Sequence, residues 1–286
     1  MRTGRELIGE ALDVLGADKR LEAELLLASV LSLGRANLLA HDQEGVSDEK
    51  AQVFRNLVRR RAADEPLQYL LGHTSFMGLE FKVAPGVLIP RFDTEILVEE
   101  AIKCLSGAEV PRRILDVCTG SGAIAVSLAK YVRESEVWAS DLSPQALALA
   151  QENSQRLAAE VRFRQGNLLE PFKEAAFVHY FQLIASNPPY ITTEEMAKLP
   201  GDVRKEPVMA LWGGEDGLMF YRRLARESGA LLADEGWLVM EIGFAQGAAV
   251  AALLEEAGFQ AVRVVKDWQG HDRVALGRWQ VPKARP

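Results

Sequence analysis

From about Thr94 onward, short apolar segments alternate with segments whose apolar residues recur at helical spacing. We expect strands at 113–117, 136–140, 160–164, 182–186, 236–242, 260–266 and 272–278. Helices are expected between them, at about 94–106, 122–133, 143–157, 217–232 and 245–257. Such alternation is typical of parallel strands joined by crossover helices. The sequence therefore predicts an α/β fold with a doubly wound, mostly parallel, seven-stranded sheet.

The first 63 residues show a different pattern, which predicts helices only. Apolar residues recur at helical spacing over Glu6–Leu15 and Leu21–Leu33, and Ser47 is a suitable N-cap for a third helix that runs to about Ala62. The third helix carries the arginine run 55–61. We interpret this run as a solvated helix face, with a contact to an acidic partner as the alternative.

A hairpin is expected between the helical region and the α/β region. The stretch Phe76–Val83 alternates apolar and polar residues around a central glycine, and prolines lie on either side of it. We therefore expect a small all-helical domain, a hairpin linker and an α/β domain, with the bounds 1–63, 64–90 and 91–286.

The composition is that of a globular protein with an acidic balance. Hydrophobic residues make up 48% of the 286 residues, and the formal net charge of −7 argues against a protein that mainly coats nucleic acid. The two cysteines and four histidines show no disulfide or metal-ligand spacing, so we expect no metal and a reducing, cytoplasmic location. We find no pattern of a signal peptide or a membrane span.

The segment Asn187–Tyr190, Asn-Pro-Pro-Tyr, follows the expected strand at 182–186. Neither proline can donate to a β-ladder, so the strand stops with Asn187 just past its carboxyl end, where open α/β sheets bind ligands. The Asn187 side chain and the carbonyls that follow can accept hydrogen bonds from an –NH2 group, and Tyr190 offers a flat stacking face. The segment indicates a grip on an amide or an exocyclic amine; its structural alternative is a strand-ending turn with a buried tyrosine.

Three further strand ends carry residues that could contact a nucleoside. Cys118–Gly122 follows the first strand, and its glycines would let the backbone approach a ligand. Asp141 follows the second strand at about the spacing of a ribose-binding carboxylate, which can accept from two hydroxyls. Asn167 follows the third strand, where an adenine contact and a plain turn are both open. The alternative for Cys118–Gly122 is a plain tight turn, and the alternative for Asp141 is an acid that caps the next helix. The succession of such strand ends along one sheet edge favours a nucleoside site.

Several motifs resemble known methyltransferases. Asp116–Gly122, Asp141 and Asn187–Tyr190 resemble the Rossmann-like class I S-adenosylmethionine-dependent methyltransferases that act on planar nitrogen. Pro66–Gly72, Phe76–Val83 and Leu88–Glu95 resemble the HemK/PrmC family more specifically. The resemblance extends over nearly the whole chain through later motifs at Glu206-Pro207, Ala210-Leu211, Gly213-Gly214, Asp216–Leu218 and Asp272–Val274.

The HemK/PrmC resemblance implies an enzyme of translation termination. That family transfers a methyl group from S-adenosyl-L-methionine to the side-chain amide nitrogen (N5) of the glutamine in the Gly-Gly-Gln motif of class 1 peptide chain release factors, and the product is S-adenosyl-L-homocysteine. The resemblance implies a cytoplasmic, metal-free protein-glutamine methyltransferase. We expect a monomer whose helical domain docks the substrate, without a membrane partner and without nucleic acid as its direct substrate.

The resemblance also implies roles for individual residues. Residues that would bind the cofactor are Cys118, Thr119, Gly120, Ser121 and Gly122 at its methionine part, Asp141 at the ribose, Asn167 and Leu168 near the adenine, and Asn187. Residues that would hold the glutamine are Asn187, Pro188, Pro189 and Tyr190. Catalysis is expected from Asn187, Pro188 and Tyr190.

This chain departs from the family pattern at three positions. Cys118 stands where a glycine is usual, Phe92 where a proline is usual, and Asn167 where an acidic residue is common. None of them removes a group that the expected chemistry requires.

Three other functions fit parts of the pattern. An adenine-N6 methyltransferase of DNA or RNA needs the same grip on an exocyclic amine, although the negative charge argues against it. A glutamine methyltransferase of a ribosomal protein would use the same chemistry on another substrate. A binding protein that kept the cofactor fold is the non-enzymatic alternative, against which the intact glycine turn, Asp141 and Asn187 all argue.

Overall fold

The computed structural model describes residues 2–282, which divide into two compact units. The first unit contains the residues up to His73 together with Pro200–Lys205. The second contains Thr74–Leu199 and the residues from Glu206 onward. The division falls at His73, ten residues beyond the expected end of the helical domain, and the expected linker hairpin lies within the second unit. Among the described residues, no helix has the length and apolar character needed to cross a bilayer.

The first unit is mainly helical. Its helices are α1 (Gly4–Leu15), α2 (Arg20–Leu31), α3 (Arg35–Ala40), α4 (Asp48–Ala62) and α5 (Leu67–Leu71). A capping box between Thr3 and Glu6 starts α1, and the Ser47 side chain caps α4 as expected. The expectation of helices only was wrong in one detail, because β1 (Arg2–Thr3) pairs with β2 (Gly45–Val46). Strands of two residues are too short to show an alternating apolar pattern.

The helices of the first unit enclose their own apolar core, which includes Leu7, Leu26 and Phe54. The arginine run lies on α4, and three of its members form ion pairs within this unit. Their partners are Glu10 for Arg55, Glu65 for Arg60, and Glu22 and Asp202 for Arg61. Arg55 and Arg60 stay partly exposed, as a solvated helix face requires, whereas the Arg61 side chain is only 12% exposed.

The second unit alternates strands and helices after an initial hairpin. Its strands are β3 (His73–Phe76, of which His73 belongs to the first unit), β4 (Leu79–Lys82), β5 (Arg112–Val117), β6 (Ser135–Asp141), β7 (Val161–Gln165), β8 (Phe181–Ser186), β9 (Leu232–Glu241), β10 (Gln260–Lys266) and β11 (Asp272–Arg278). Its helices are α6 (Glu95–Cys104), α7 (Ala123–Tyr131), α8 (Pro144–Arg156), α9 (Thr193–Met196), α10 (Val208–Leu211), α11 (Met219–Ser228) and α12 (Gly247–Glu256).

The seven strands β5 to β11 form one sheet in the order β10-β11-β9-β8-β5-β6-β7. β5 pairs in parallel with β6 on one side and with β8 on the other, while β11 runs antiparallel to β9 and β10. The chain thus winds outward from β5 in one direction and from β8 in the other. The crevice between β5 and β8 is the point where a doubly wound sheet binds its ligand.

Both faces of the sheet are buried, because successive side chains of each central strand point to opposite faces. On β5, Ile114 enters the core beneath α6 and α7, while Leu115 and Val117 enter the core on the α11 and α12 side. On β9, Val239 and Met240 divide in the same way. A polar residue within these strands is therefore buried and needs a hydrogen-bond partner.

The expected strands and long helices are confirmed within a few residues, with one larger difference. The expected helix at 217–232 ends at Ser228, and β9 begins at Leu232 rather than at 236. The residues between them include Gly229, which packs so closely on the Trp279 ring that an added Cβ would lie 2.6 Å from it. The short helices α3, α5, α9 and α10 have too few turns to produce a periodic apolar pattern.

Candidate active site at the carboxyl edge of the sheet

The strand register brings three predicted site residues to one edge. Val117 of β5 is aligned with Ser140 of β6 and with Ser186 of β8. The next residue of each strand, Cys118, Asp141 and Asn187, therefore lies at the carboxyl edge around the crevice. This juxtaposition follows from the pairing of parallel strands in register.

A mostly apolar cavity opens at this edge, as ligand sites commonly do. It is lined by the predicted residues Cys118, Thr119, Gly120, Ser121, Asp141, Asn167, Leu168, Asn187 and Pro189. Its other walls come from the segment Gly86–Arg91, from Thr94, and from residues on and around α10, including Met209 and Trp212. Pro188 is buried, and Pro188, Tyr190 and Gly122 are not among the residues that line the cavity. Within residues 2–282 no cluster of three or more His, Cys, Asp or Glu side chains is placed to hold a metal ion.

The loop after β5 is shaped by left-handed backbone conformations. Gly120 and Gly122 have φ values of 55° and 83°, which cost glycine little. An added Cβ on Gly122 would lie 3.0 Å from the Cβ of Ala150 in α8. Gly122 thus lets the loop and α8 approach each other, which is a structural contribution to the cavity.

Asp141 anchors the same loop. Its two carboxylate oxygens accept hydrogen bonds from the backbone N–H of Gly120 at 2.8 Å and of Ser143 at 2.9 Å. Burial raises the pKa of this carboxyl, although those backbone donors oppose the rise. Each oxygen keeps acceptor capacity toward the cavity, as a ribose diol would require.

Asp116 lies beneath the loop and is fully buried. Its Oδ2 accepts from the Thr119 hydroxyl at 2.6 Å and from the Ala125 backbone N–H at 3.1 Å, whereas Oδ1 has no hydrogen-bond partner among the described residues. Burial raises the pKa of this carboxyl to about 7. This oxygen is closed to solvent, and Asp116 does not line the cavity.

Cys118 holds a left-handed conformation with φ of 62° at the start of the loop. A side chain makes this conformation costly, by roughly 1–2 kcal/mol, which explains why glycine suits the position. Burial raises the pKa of its thiol, so the thiol stays protonated near neutral pH.

Asn187 and the residues after it are held from several sides. The Asn187 Nδ2 donates to the Thr94 hydroxyl at 3.3 Å, and the backbone N–H of Ile191 donates to the Leu211 carbonyl at 2.8 Å. Gly213 approaches so closely that an added Cβ would lie 2.6 Å from the Tyr190 Cα. Within the described residues, no hydrogen bond ends on the Pro188 carbonyl.

Glu241, which the sequence reasoning missed, lies behind Asn187 at the end of β9. It is buried, accepts from the Thr94 hydroxyl through one oxygen, and accepts from the Tyr190 hydroxyl at 3.3 Å through the other. Burial raises its pKa to about 6. The only sequence signal was an acid ending an apolar strand.

Glu206 was noted only as part of a motif, yet it joins two walls of the cavity. Its buried carboxylate accepts from the Ile89 backbone N–H at 3.0 Å and from the Arg91 guanidinium. Asn167 is held in a comparable way, because its Oδ1 accepts from Arg223 at 3.1 Å. Arginine has no acceptor, so this contact fixes which end of the Asn167 amide faces away from the cavity.

Known proteins similar to this chain are methyltransferases. The family model of the PrmC N-terminal domain matches residues 8–72, and that of the methyltransferase small domain matches residues 92–200. A release factor glutamine methyltransferase of Moorella thermoacetica is 45% identical over 281 residues, which cover 96% of this chain and 98% of that protein. One from Bordetella pertussis is 45% identical over 258 residues, covering 90% and 94%.

The chain belongs to the release factor glutamine methyltransferase family. The resemblance seen in the sequence motifs is thereby confirmed. The hMettl16 catalytic domain, solved in complex with MAT2A 3'UTR hairpin 6, has a TM-score of 0.56 at 18% identity and covers 81% of this chain and 84% of that chain. This likeness confirms the predicted Rossmann-like methyltransferase fold.

Proposed function

We propose that this protein transfers a methyl group from S-adenosyl-L-methionine to the side-chain amide nitrogen of the glutamine in the Gly-Gly-Gln motif of class 1 release factors. The observation that carries the proposal is the position of Asn187. It lines the same cavity as the loop after β5 and Asp141, at the crevice between β5 and β8. Family membership supports the substrate, since the relatives carry the name release factor glutamine methyltransferase.

The residues around the cavity fit the cofactor. Asp141 lines the cavity and has acceptor capacity for two ribose hydroxyls. We assign the loop Cys118–Gly122 to the methionine part, with Gly122 shaping the loop from behind. Asn167 and Leu168 are assigned to the adenine side. When bound, S-adenosyl-L-methionine supplies a methyl group carried on a sulfonium.

The substrate nitrogen needs orientation more than activation. A primary amide nitrogen is a poor nucleophile because its lone pair is delocalised into the carbonyl. We assign one amide N–H to the Asn187 Oδ1 and the other to the Pro188 carbonyl, while Pro189 forms the adjoining wall. Two acceptors placed in this way hold the nitrogen in one orientation, as an in-line displacement requires.

The same two acceptors favour the transition state over the ground state. As the new N–C bond forms, the nitrogen becomes pyramidal and partly positive, so hydrogen bonds to its N–H groups strengthen. The amide then releases one N–H proton to water. We propose that Tyr190 packs on the amide plane, with its hydroxyl tied to Glu241.

The other assignments complete the proposal. The helical domain of residues 1–63 would dock the release factor, with residues 64–90 linking it to the catalytic domain of residues 91–286. The protein would act as a cytoplasmic monomer without a metal. The cavity is mostly apolar, and the chain is acidic, which supports a protein substrate over nucleic acid.

A panel of acceptors tests the proposal. The protein is incubated with methyl-labelled S-adenosyl-L-methionine and either a class 1 release factor, ribosomal proteins or unmethylated DNA. Label in the release factor is the expected result, and it should vanish when the glutamine of the Gly-Gly-Gln motif is replaced by alanine. Label confined to DNA or to ribosomal proteins would contradict the proposed substrate. An absence of label in every acceptor would favour a binding protein.

A further inference from the structure

Three side chains form a hydrogen-bonded chain that ends at Asn187. Glu241 Oε2 accepts from the Thr94 hydroxyl at 2.5 Å, and Thr94 Oγ1 accepts from the Asn187 Nδ2 at 3.3 Å. Thr94 and Glu241 are only 4% and 1% exposed. Because water has little access to them, these groups must satisfy one another.

The chemistry of the three groups gives the chain a direction. An ionised carboxylate can only accept, so the single hydroxyl proton of Thr94 points to Glu241. The Thr94 oxygen then has only lone pairs left for Asn187, which must present its NH2 end. The Asn187 Oδ1 is consequently left for the cavity that Asn187 and Thr94 both line.

We propose that Glu241 is a positioning residue that, through the Thr94 hydroxyl, fixes the Asn187 amide with its oxygen turned toward the substrate nitrogen. This inference rests on the proposed function, in which that oxygen accepts a substrate N–H. A reversed amide would set one NH2 group against another. Glu241 thus determines whether the strand end recognises an –NH2 group or an oxygen acceptor, without touching the substrate.

The surroundings of Glu241 make the direction of the hydrogen bonds from Asn187 through Thr94 to Glu241 dependent on pH. The charged and titratable groups around it are Arg273, Tyr190, Tyr221 and Asp93. The Tyr221 hydroxyl donates to the Glu241 backbone carbonyl, and Arg273 is also paired with Asp93 and Asp267. Burial is the largest cause of the raised pKa of Glu241, about 6, and Thr94 and Arg273 oppose it. A protonated Glu241 can donate to Thr94, which frees the Thr94 proton for the Asn187 Oδ1 and allows the amide to reverse.

The orientation of Asn187 can be followed without any substrate. In protein labelled with ¹⁵N-asparagine, the side-chain amide signal of Asn187 is assigned by its loss in Asn187→Ala and followed from about pH 5 to about pH 8. We expect it to shift with a midpoint close to the pKa of Glu241, about 6. The shift should disappear in Glu241→Gln and in Thr94→Val. An Asn187 amide signal that does not shift with pH would overturn the proposal. A shift that persists unchanged in both Glu241→Gln and Thr94→Val would also overturn it.

Turnover gives a second, independent readout. Thr94→Val keeps the shape of the side chain but removes the hydroxyl, and should lower kcat by at least about tenfold with little change in the affinity for S-adenosyl-L-methionine. Thr94→Ser keeps the hydroxyl and should therefore retain most of the kcat that Thr94→Val loses. In the wild type, kcat should fall toward acid pH as Glu241 becomes protonated, and this fall should vanish in Glu241→Gln. Thr94→Val turning over within about threefold of the wild type would contradict the proposal.

A control separates positioning from a loss of stability. Glu100 is also buried, on α6, and pairs with Lys103 and Arg263. Glu100→Gln should lower the melting temperature yet leave the pH profile of kcat and the Asn187 signal unchanged. If the wild type methylates none of the acceptors, the proposed function fails while the amide signal still decides the role of Glu241.

Discussion

At the scale of single residues, the site depends on side chains whose hydrogen-bonding ends are fixed by their neighbours. Asp141 meets two backbone donors, and Thr94 determines which end of Asn187 faces the cavity. In the proposed function, cofactor and substrate groups would therefore meet acceptors that are already oriented, so little reorganisation would be needed on binding. Substitutions of the two residues should have different effects, because Asp141 lies on the proposed cofactor side and Asn187 on the proposed substrate side. A change at Asp141 should mainly weaken cofactor binding, and a change at Asn187 should mainly lower kcat.

Asn187→Ala removes the proposed acceptor for the substrate N–H. We expect kcat for release factor methylation to fall by about 10²–10³, the scale of losing one aligned polar group in an active site. The affinity for S-adenosyl-L-methionine, measured by calorimetry, should change much less. A variant that keeps wild-type turnover would show that Asn187 does not orient the substrate.

Asp141→Asn tests the proposed ribose contact. The Nδ2 of the new amide cannot accept from Gly120 or Ser143, so the variant disturbs the loop and loses acceptor capacity toward the diol. The dissociation constant of S-adenosyl-L-methionine should rise at least about tenfold. Equal affinity in variant and wild type would remove Asp141 from the cofactor site.

At the scale of elements, sheet register and close backbone packing determine where the strand-end residues lie. Register brings the ends of β5, β6 and β8 to one edge. Past the end of β8, Gly213 and Gly217 pack directly on the backbone of Pro189 and Tyr190. The rigidity of this segment therefore depends on two glycines far along the chain, in addition to its own prolines.

Gly213→Ala should displace that segment. The added Cβ would lie 2.6 Å from the Tyr190 Cα and 2.7 Å from the Pro189 carbonyl oxygen, and backbone cannot yield as a flexible side chain does. We expect kcat to fall at least about tenfold, since small misplacements near the reacting atoms are costly. Cofactor affinity should change less.

Gly229→Ala is the matched control for Gly213→Ala. Its Cβ would be equally crowded, at 2.6 Å from Trp279, but by a side chain outside the cavity lining. This variant should lose stability while keeping the turnover of its folded fraction. Equal losses of turnover in both glycine variants would mean that general destabilisation explains the effect.

The sequence predicted the sheet and the residues at the cavity edge better than it predicted the buried side chains that hold those residues in place. The β5 to β11 strands and the Asn187 turn follow local patterns, namely apolar alternation and two prolines without N–H groups. Thr94 and Glu241 are 147 positions apart and meet only through the fold. Glu206 was noted only through resemblance, because its partners at Ile89 and Arg91 lie far upstream.

At the scale of the whole molecule, buried carboxyls at the site oppose stability at neutral pH. The pKa of Asp116 rises from 3.8 to about 7 and that of Glu241 from 4.5 to about 6, because burial penalises their charged forms. Both groups bind more protons in the folded state than in the unfolded state over that interval. Their contribution to stability is therefore complete below the unfolded pKa values and is lost as the pH rises through the folded ones.

The free energy of unfolding of the cofactor-free protein should therefore decline between about pH 5 and about pH 7. Paired carboxyls such as Asp216 and Glu65, whose pKa values are lowered by arginine partners, contribute stability that is present above their unfolded pKa values and is lost below about pH 5. Urea unfolding at a series of pH values measures the decline, and Glu241→Gln should flatten part of it. A free energy that rises steadily from about pH 5 to about pH 7 would contradict these pKa directions.

The central claim is that Asn187 and its neighbours present the side-chain amide of a release factor glutamine to the methyl donor. Tandem mass spectrometry of the release factor after reaction with S-adenosyl-L-methionine tests it most directly. The account predicts one added methyl group on the side-chain nitrogen of the glutamine in the Gly-Gly-Gln peptide, and almost none with Asn187→Ala. A methyl group on another residue, or equal methylation by the Asn187→Ala variant, would contradict it.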